Sequence, residues 1–167
     1  MMKRISTAVL LVAMTFSLSG CNAYQRAETV EKIVASVLAI AEAEVSQFPQ
    51  NEQATISGYI AAGVSLNAAY GACIDNANQA MIVKSAKFLD CLGIFSKALN
   101  DPQLLAQLRI LNPNSTRKIQ RWLTAVSLSV NEAIVWFGGQ APQPSSVGAP
   151  PTNAELREFK QQVLNGL

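Results

Sequence analysis

The chain has 167 residues, of which 13 are basic and 11 acidic, and half of its composition is hydrophobic. It contains no histidine, which excludes Ser-His-Asp and Cys-His catalysis, histidine-ligated haem, most catalytic zinc sites and the usual proton shuttle near neutral pH. A chain of this length forms one ordinary domain.

The N-terminus has the pattern of an export signal. Met1–Arg4 is a short basic start, and the 14 positions of Ile5–Leu18 contain no charged residue. Because a transmembrane helix needs roughly 20 apolar residues, this run predicts the hydrophobic region of a signal peptide. The run ends in Leu18-Ser19-Gly20-Cys21, which resembles the lipobox of bacterial lipoproteins. A chance cysteine after a secretory signal is the alternative.

This resemblance covers only the first 21 residues, and it implies removal of residues 1–20 and attachment of lipid to the thiol of Cys21. Two or more acyl chains anchor a protein stably on a membrane without a spanning helix. Asn22 rather than aspartate follows the cysteine, which implies the outer membrane with the protein facing the periplasm in a Gram-negative cell, and the cell surface otherwise. The mature chain would have 11 basic and 11 acidic residues, so no nucleic-acid partner is predicted.

The mature region lacks the alternation of a strand, and residues 21–140 predict an all-α, antiparallel bundle of four main helices plus a short helix. The first helix spans residues 24 to 48, and Pro49 ends it. Its apolar residues recur at spacings of three and four. They are Val30, Val34, Val37, Ala41, Val45 and Phe48.

Asn51 is the predicted cap of the second helix, with Glu52 in its first turn at the positive end of the dipole. The 19 positions from Ile56 to Ile74 contain no charged residue, which is nearly the length of a membrane span. Glycine, serine and asparagine dilute this segment, so we favour a central bundle helix whose small residues let neighbouring backbones approach closely.

The third helix is predicted from Met81 to Leu99, and Asp101-Pro102 then caps a short helix that stops near Leu111. Asn114 or Ser115 is the predicted cap of the last bundle helix, which ends at Gly138-Gly139. The apolar stripe of that helix is Ile119, Trp122, Val126, Val130, Ile134 and Phe137.

Cys73 and Cys91 predict a disulfide, because an exported protein meets an oxidising compartment. Two buried free thiols are the alternative. In a simple hairpin this pair requires a turn near residue 82, whereas the composition of Asp75–Asn78 predicts a turn earlier. Either the second helix runs further, or the segment 75–80 folds back, or the disulfide does not form.

Four prolines in residues 141–151 predict a linker, and Thr152–Glu155 matches a capping box that opens a C-terminal amphipathic helix over residues 152–167. This helix has one apolar side, which includes Leu156, Phe159, Val163 and Leu167. It either packs on its own bundle or awaits the groove of a partner.

A basic stretch is the predicted contact surface for anionic lipid headgroups or an acidic partner. It consists of Arg109, Arg117, Lys118 and Arg121, with Trp122 adjacent. Several of these charges lie near a helix N-terminus, where the dipole disfavours them. A solvated basic face is the simpler interpretation.

The sequence predicts no catalytic residue, no metal site and no cofactor. Glu132 falls between apolar positions and is expected on the outer face of its helix, and Glu42 and Glu44 point in different directions because they are two residues apart. The leading prediction is a lipid-anchored, non-enzymatic protein-interaction module of the adaptor, accessory or exclusion and immunity type, with an envelope protein as partner. A carrier of lipid or a small apolar ligand is the alternative, and an enzyme ranks third.

Overall fold

The computed structural model describes residues 23–79 and 84–140, and beyond them only the separate helical residues 154, 157, 158 and 161. The first long helix, α1, is Ala23–Glu44 and continues into the 3-10 turn Val45–Gln47. The remaining helices are α2 (Gln50–Gln79), α3 (Lys84–Leu99), α4 (Pro102–Leu108) and α5 (Pro113–Trp136). No strand occurs in residues 23–79 and 84–140, so the predicted all-α bundle is confirmed.

The four long helices surround one apolar core. Each of α1, α2 and α3 packs on the next long helix in the chain, and α5 closes the bundle by packing on both α3 and α1. The short helix α4 connects the end of α3 to the start of α5. The predicted stripe of α5 is buried along its whole length, as are Val30, Val34, Val37, Ala41 and Phe48 from the α1 segment.

Helices α1 and α2 pack closely because two glycines of α2 leave room for side chains of α1. A Cβ atom on Gly63 would lie 2.6 Å from a methyl carbon of Leu38, and one on Gly71 would collide with the carboxylate of Glu31. The spacing between two packed helices depends on the side chains at their contact, so these glycines permit the close approach predicted for small residues.

Helix α2 is longer than its local composition predicts, because it continues through Asp75–Asn78 to Gln79. The predicted turn at 75–78 is therefore wrong. The burial of Ala77 and a hydrogen bond of 2.6 Å from the Tyr24 hydroxyl to Asp75 stabilise the helix here, and such tertiary contacts override the turn preference of Asp and Asn. The extension brings Cys73 and Cys91 to disulfide distance, with their Cα atoms 5.7 Å apart.

The ends of the helices confirm some of the predicted caps and correct others. The Asp101 side chain accepts a hydrogen bond from the backbone N–H of Gln103, so the predicted cap of α4 is confirmed, although α4 ends at Leu108 rather than near Leu111. Gly138 has a φ of 86° and ends α5 as predicted, since glycine adopts this left-handed conformation without strain.

The cap of α5 is Asn112, not Asn114 or Ser115, because Pro113 occupies the first helical position and needs no N–H partner there. The Asn112 side chain accepts a hydrogen bond of 2.9 Å from the backbone N–H of Asn114. Asn51 does not cap α2 either, since that helix already begins at Gln50.

A buried carboxylate connects the start of α2 to the start of α5. The side chain of Glu52 accepts a hydrogen bond of 2.7 Å from the backbone N–H of Asn112 and a second from the Ser115 hydroxyl. Glu52 is 8% exposed and Ser115 is almost completely buried. The negative charge therefore lies at the N-terminal end of α5, where the helix dipole favours an anion, and it holds the junction between α4 and α5 on the bundle.

We expect Glu52→Gln to lower the free energy of unfolding by about 1–3 kcal/mol, because the amide removes the charge that the α5 dipole favours and replaces the oxygen to which Ser115 donates its charge-assisted hydrogen bond. Urea unfolding monitored by circular dichroism measures this loss. Ser115→Ala and the double variant complete the cycle, and the two single losses should not add because both remove the same hydrogen bond. Wild-type stability of Glu52→Gln would show that the contact contributes nothing.

Candidate functional site

The predicted basic stretch lies at the end of the bundle where α1 ends and α5 begins. The structure divides its residues into two groups. Trp122 is 6% exposed and packs edge-on against the Phe48 ring, with 5.5 Å between ring centroids, so it belongs to the core. The Arg121 guanidinium pairs with the Glu44 carboxylate at 3.1 Å, and the two side chains are only 18% and 14% exposed.

The charges of α1 and α5 complement each other across this contact. Helix α1 ends in Glu44, and the dipole of α1 disfavours an acid at that position. Helix α5 has Lys118 and Arg121 in its second and third turns. Antiparallel packing brings these charges together, and the Lys118 ammonium donates a hydrogen bond of 2.9 Å to Gln47 and lies 5.2 Å from the Phe48 ring centroid.

An exposed patch remains at the same end, which we call the distal patch and define as Arg109, Ile110 and Arg117. Both arginines are exposed, and Ile110 is 83% exposed, the largest value among the exposed large hydrophobic residues described. The Thr116 hydroxyl donates a hydrogen bond of 3.0 Å to the carbonyl of Leu108, which brings the segments of Arg109 and Arg117 together. Basic and apolar groups are thus combined at one point on the surface.

An apolar cavity of about 160 Å³ lies in the half of the bundle nearer the distal patch. All five helices contribute to its wall, and α2 residues Tyr59 and Ala62 lie where it reaches the surface. The Tyr59 hydroxyl donates a hydrogen bond of 2.9 Å to Gln107 of α4. Side chains that line the cavity include Val37, Leu38, Ile60, Leu99, Leu104 and Leu123.

The small residues of 58–72 favour tight packing over a wide cavity, and the space that the bundle leaves beside them is a small one. Gly63 does receive the side chain of Leu38, but Ala62, Gly63 and Leu104 still line an open space. The core is therefore incompletely filled beside α4. Its lining is apolar, so an apolar molecule fits the cavity better than a polar one.

A group of acidic and phenolic side chains lies at the opposite end of the bundle, between α1 and α2. The hydrogen bond to Asp75 raises the pKa of Tyr24 to about 12. Burial, and then the charges of Asp75 and Glu28, raise the pKa of Glu31, while Lys32 acts in the opposite direction. Burial also raises the pKa of Tyr70, whose hydroxyl donates a hydrogen bond of 3.0 Å to the carbonyl of Ala27.

Several predicted site residues lie outside the described part of the chain: Cys21, the linker 141–151 and the C-terminal helix with Leu156, Phe159 and Val163. Among the described acids, Glu132 is half-buried and Glu42 is exposed, whereas Glu44 forms the ion pair with Arg121. Within residues 23–79 and 84–140 no helix combines the length and apolarity needed to cross a membrane.

The role of Glu52 at the start of α5 has no signal in the sequence. From the sequence alone Glu52 is expected to interact with the dipole of its own helix and Ser115 to act as a cap, and both residues do lie at helix N-termini. Their hydrogen bond joins residues 63 positions apart in the chain. No local spacing signals such a pair, so only the tertiary structure reveals it.

No family model, curated protein or solved structure matches this chain.

We expect Glu31→Gln to be more stable than the wild type near neutral pH and to differ little from it in acid. The pKa of Glu31 is raised in the folded state, which means that folding disfavours the ionised carboxyl. The protonated carboxyl therefore favours folding below its usual pKa of 4.5, and this contribution is lost as pH rises through the raised pKa. The amide imitates the protonated carboxyl at every pH. Thermal midpoints measured over this range test the expectation, with Glu42→Gln on the exposed side of α1 as control. A difference that is the same in acid and at neutral pH would contradict it.

Proposed function

We propose that this chain is a lipid-anchored envelope lipoprotein, held on the membrane through Cys21, whose helical bundle is a non-enzymatic module for binding a partner protein. The resemblance of Leu18-Ser19-Gly20-Cys21 to a lipobox supports the anchor, and Asn22 supports the outer membrane with the bundle in the periplasm. The observation that carries the binding role is the exposure of Arg109, Ile110 and Arg117 at one end of the bundle.

The position of the anchor relative to the bundle selects between the two partners considered for the basic residues. Helix α1 begins at Ala23, two residues after Cys21, so its first turn lies beside the lipid. Its 22 residues extend about 33 Å at 1.5 Å per residue, and the distal patch lies past its far end. Electrostatic attraction to headgroups decays over about 8 Å at physiological ionic strength. A bundle standing on its anchor thus presents the distal patch to a protein and not to its own membrane.

The chemistry of the patch indicates what such a partner offers. Two arginines beside one exposed isoleucine complement a surface with carboxylates around an apolar pocket. Arginine and a buried apolar anchor are groups that contribute strongly at interfaces. Exposed arginine side chains contribute little to the stability of the bundle itself, so their reversal should affect binding far more than folding.

A crosslinking pull-down from the native envelope tests the proposal, with proteins and lipids both identified by mass spectrometry. The wild type should retain one dominant protein, and the double variant Arg109→Glu/Arg117→Glu should lose it. The double variant should keep the thermal midpoint of the wild type. Lys87→Glu, an exposed charge reversal on α3, should retain the partner. Cys21→Ser should give an uncleaved precursor or an unanchored protein. A partner that survives the double reversal would exclude the distal patch.

A second candidate function is favoured by the cavity: the binding of a small apolar ligand. Its volume of about 160 Å³ resembles that of engineered apolar cavities that admit benzene or xenon, which limits the ligand to one ring or a short acyl segment. A whole acyl chain would require the walls to move. This function would make the bundle a carrier or sensor of apolar molecules, and it would not depend on the distal patch.

Thermal shift with benzene tests this second function. A ligand at ten times its Kd adds about 1.4 kcal/mol to the free energy of unfolding, which raises the thermal midpoint by a few degrees. Ala98→Leu, which adds volume to the cavity wall, should abolish the shift, whereas Ala86→Leu at an exposed position of the same helix should retain it. An unchanged wild-type midpoint in saturating benzene would exclude the carrier.

A further inference from the structure

The opposite end of the bundle, which we call the anchored end, has its own surface chemistry. It is defined here by Tyr24, Arg26, Val135 and Trp136. Trp136 is 44% exposed and Val135 is more exposed still, although both are large and apolar. The Arg26 guanidinium carbon lies 4.2 Å from the centroid of the Trp136 ring, which places the end of α5 beside the first turn of α1.

These side chains belong to a type that favours the border between lipid and water. Tryptophan and tyrosine combine an apolar ring with a polar group, and they concentrate at the level of lipid headgroups. A guanidinium held over an indole ring keeps a positive charge beside the aromatic face. Ile134 and Phe137 fill the inward positions of this turn, so Val135 and Trp136 point outward and contribute little to the core.

The length of chain between the lipid and the bundle restricts where this end can lie. Only Asn22 separates Cys21 from Ala23, the first residue of α1. Two residues of fully extended chain span at most about 7 Å, so the start of α1 stays within that distance of the lipidated residue. Tyr24 and Arg26 lie in the first turns of α1, and Trp136 lies at the height of Arg26.

The end of α2 determines how deep this surface can go. Asp75 lies at the height of Tyr24, and α2 continues for four more residues to Gln79, or about 6 Å. Asn76, Asn78 and Gln79 in this last turn are polar, so they suit headgroups rather than hydrocarbon. The polar layer of one leaflet is about 5–8 Å thick. Trp136, at the height of Arg26, lies about 3 Å behind Tyr24 and hence about 9 Å behind the end of α2, so it meets the outer edge of the headgroup layer and not the acyl chains.

From these positions we propose that the anchored end docks on the headgroup layer of the same membrane that holds Cys21, with Val135 and Trp136 as its contact residues. The inference rests on the proposed lipid anchor. Docking gives the bundle a fixed orientation, in which α1 and α5 stand away from the membrane and the distal patch faces the periplasm. A tether of two residues without this contact would leave the bundle free to tilt.

The two tryptophans of the chain provide the test. Trp122 lies fourteen residues before Trp136 on α5, which is about 21 Å further from the anchored end. The full-length lipidated protein is reconstituted in phosphatidylcholine vesicles with or without a nitroxide quencher on the headgroup. Flotation of the vesicles shows whether the protein is anchored. Trp122→Phe isolates the emission of Trp136, and Trp136→Phe isolates that of Trp122.

We expect the floated protein to lose most of the Trp136 emission to the headgroup quencher, while the Trp122 emission stays unchanged. If Trp122→Phe does not fold, the emission of Trp136 is obtained by subtracting the emission of Trp136→Phe from that of the wild type. Floated protein with an unquenched Trp136 would overturn the docking while the anchor stands, and would point to a protein covering this end. Equal quenching of both tryptophans would also overturn it, because the bundle would then lie on its side. Protein that does not float would overturn the anchor and the docking together.

Discussion

The antiparallel contact of α1 with α5 is the constraint on which the rest of the bundle depends. Taken separately, α1 ends in an acid, Glu44, which its dipole disfavours, and α5 has a cation, Arg121, in its third turn. Their ion pair, with Phe48 and Trp122 packed beneath it, makes each helix the complement of the other. A parallel arrangement would separate these charges by about 20 Å, so the contact favours the antiparallel arrangement.

The topology in turn separates the chemistry of the two ends. The end beside α1's first turn has Trp136 and the Cys73–Cys91 pair, which lies close to the hydrogen bond between Tyr24 and Asp75. The other end has arginines and an exposed isoleucine held in place by the hydrogen bonds of Glu52. In the function that we propose, the membrane lies at the first end and the partner protein at the other. The apolar cavity lies between the two ends.

Much of the bundle could be predicted because its signals are local. The apolar stripe of α5 from Ile119 to Phe137 is buried as its spacing requires, and Asp101 caps α4 as its neighbour Pro102 indicates. The candidate site was predicted less well. Arg121 and Trp122 have basic and aromatic character in the sequence, but their neighbours Glu44 and Phe48 come from a distant part of the chain. Of the arginines in that stretch, Arg109 and Arg117 are the ones exposed to a binding partner.

The sequence by itself determined the helical class, the core-facing sides of α1 and α5 and the lipobox-like start, because periodicity, proline, glycine and short motifs act over a few residues. Tertiary structure alone decided the length of α2, the use of Asn112 as a cap, the burial of Glu52 and the existence of the cavity. These features depend on contacts between residues far apart in the chain. Burial of Ala77 outweighs the turn preference around it, and the volume left beside Leu104 depends on how four neighbouring helices meet it.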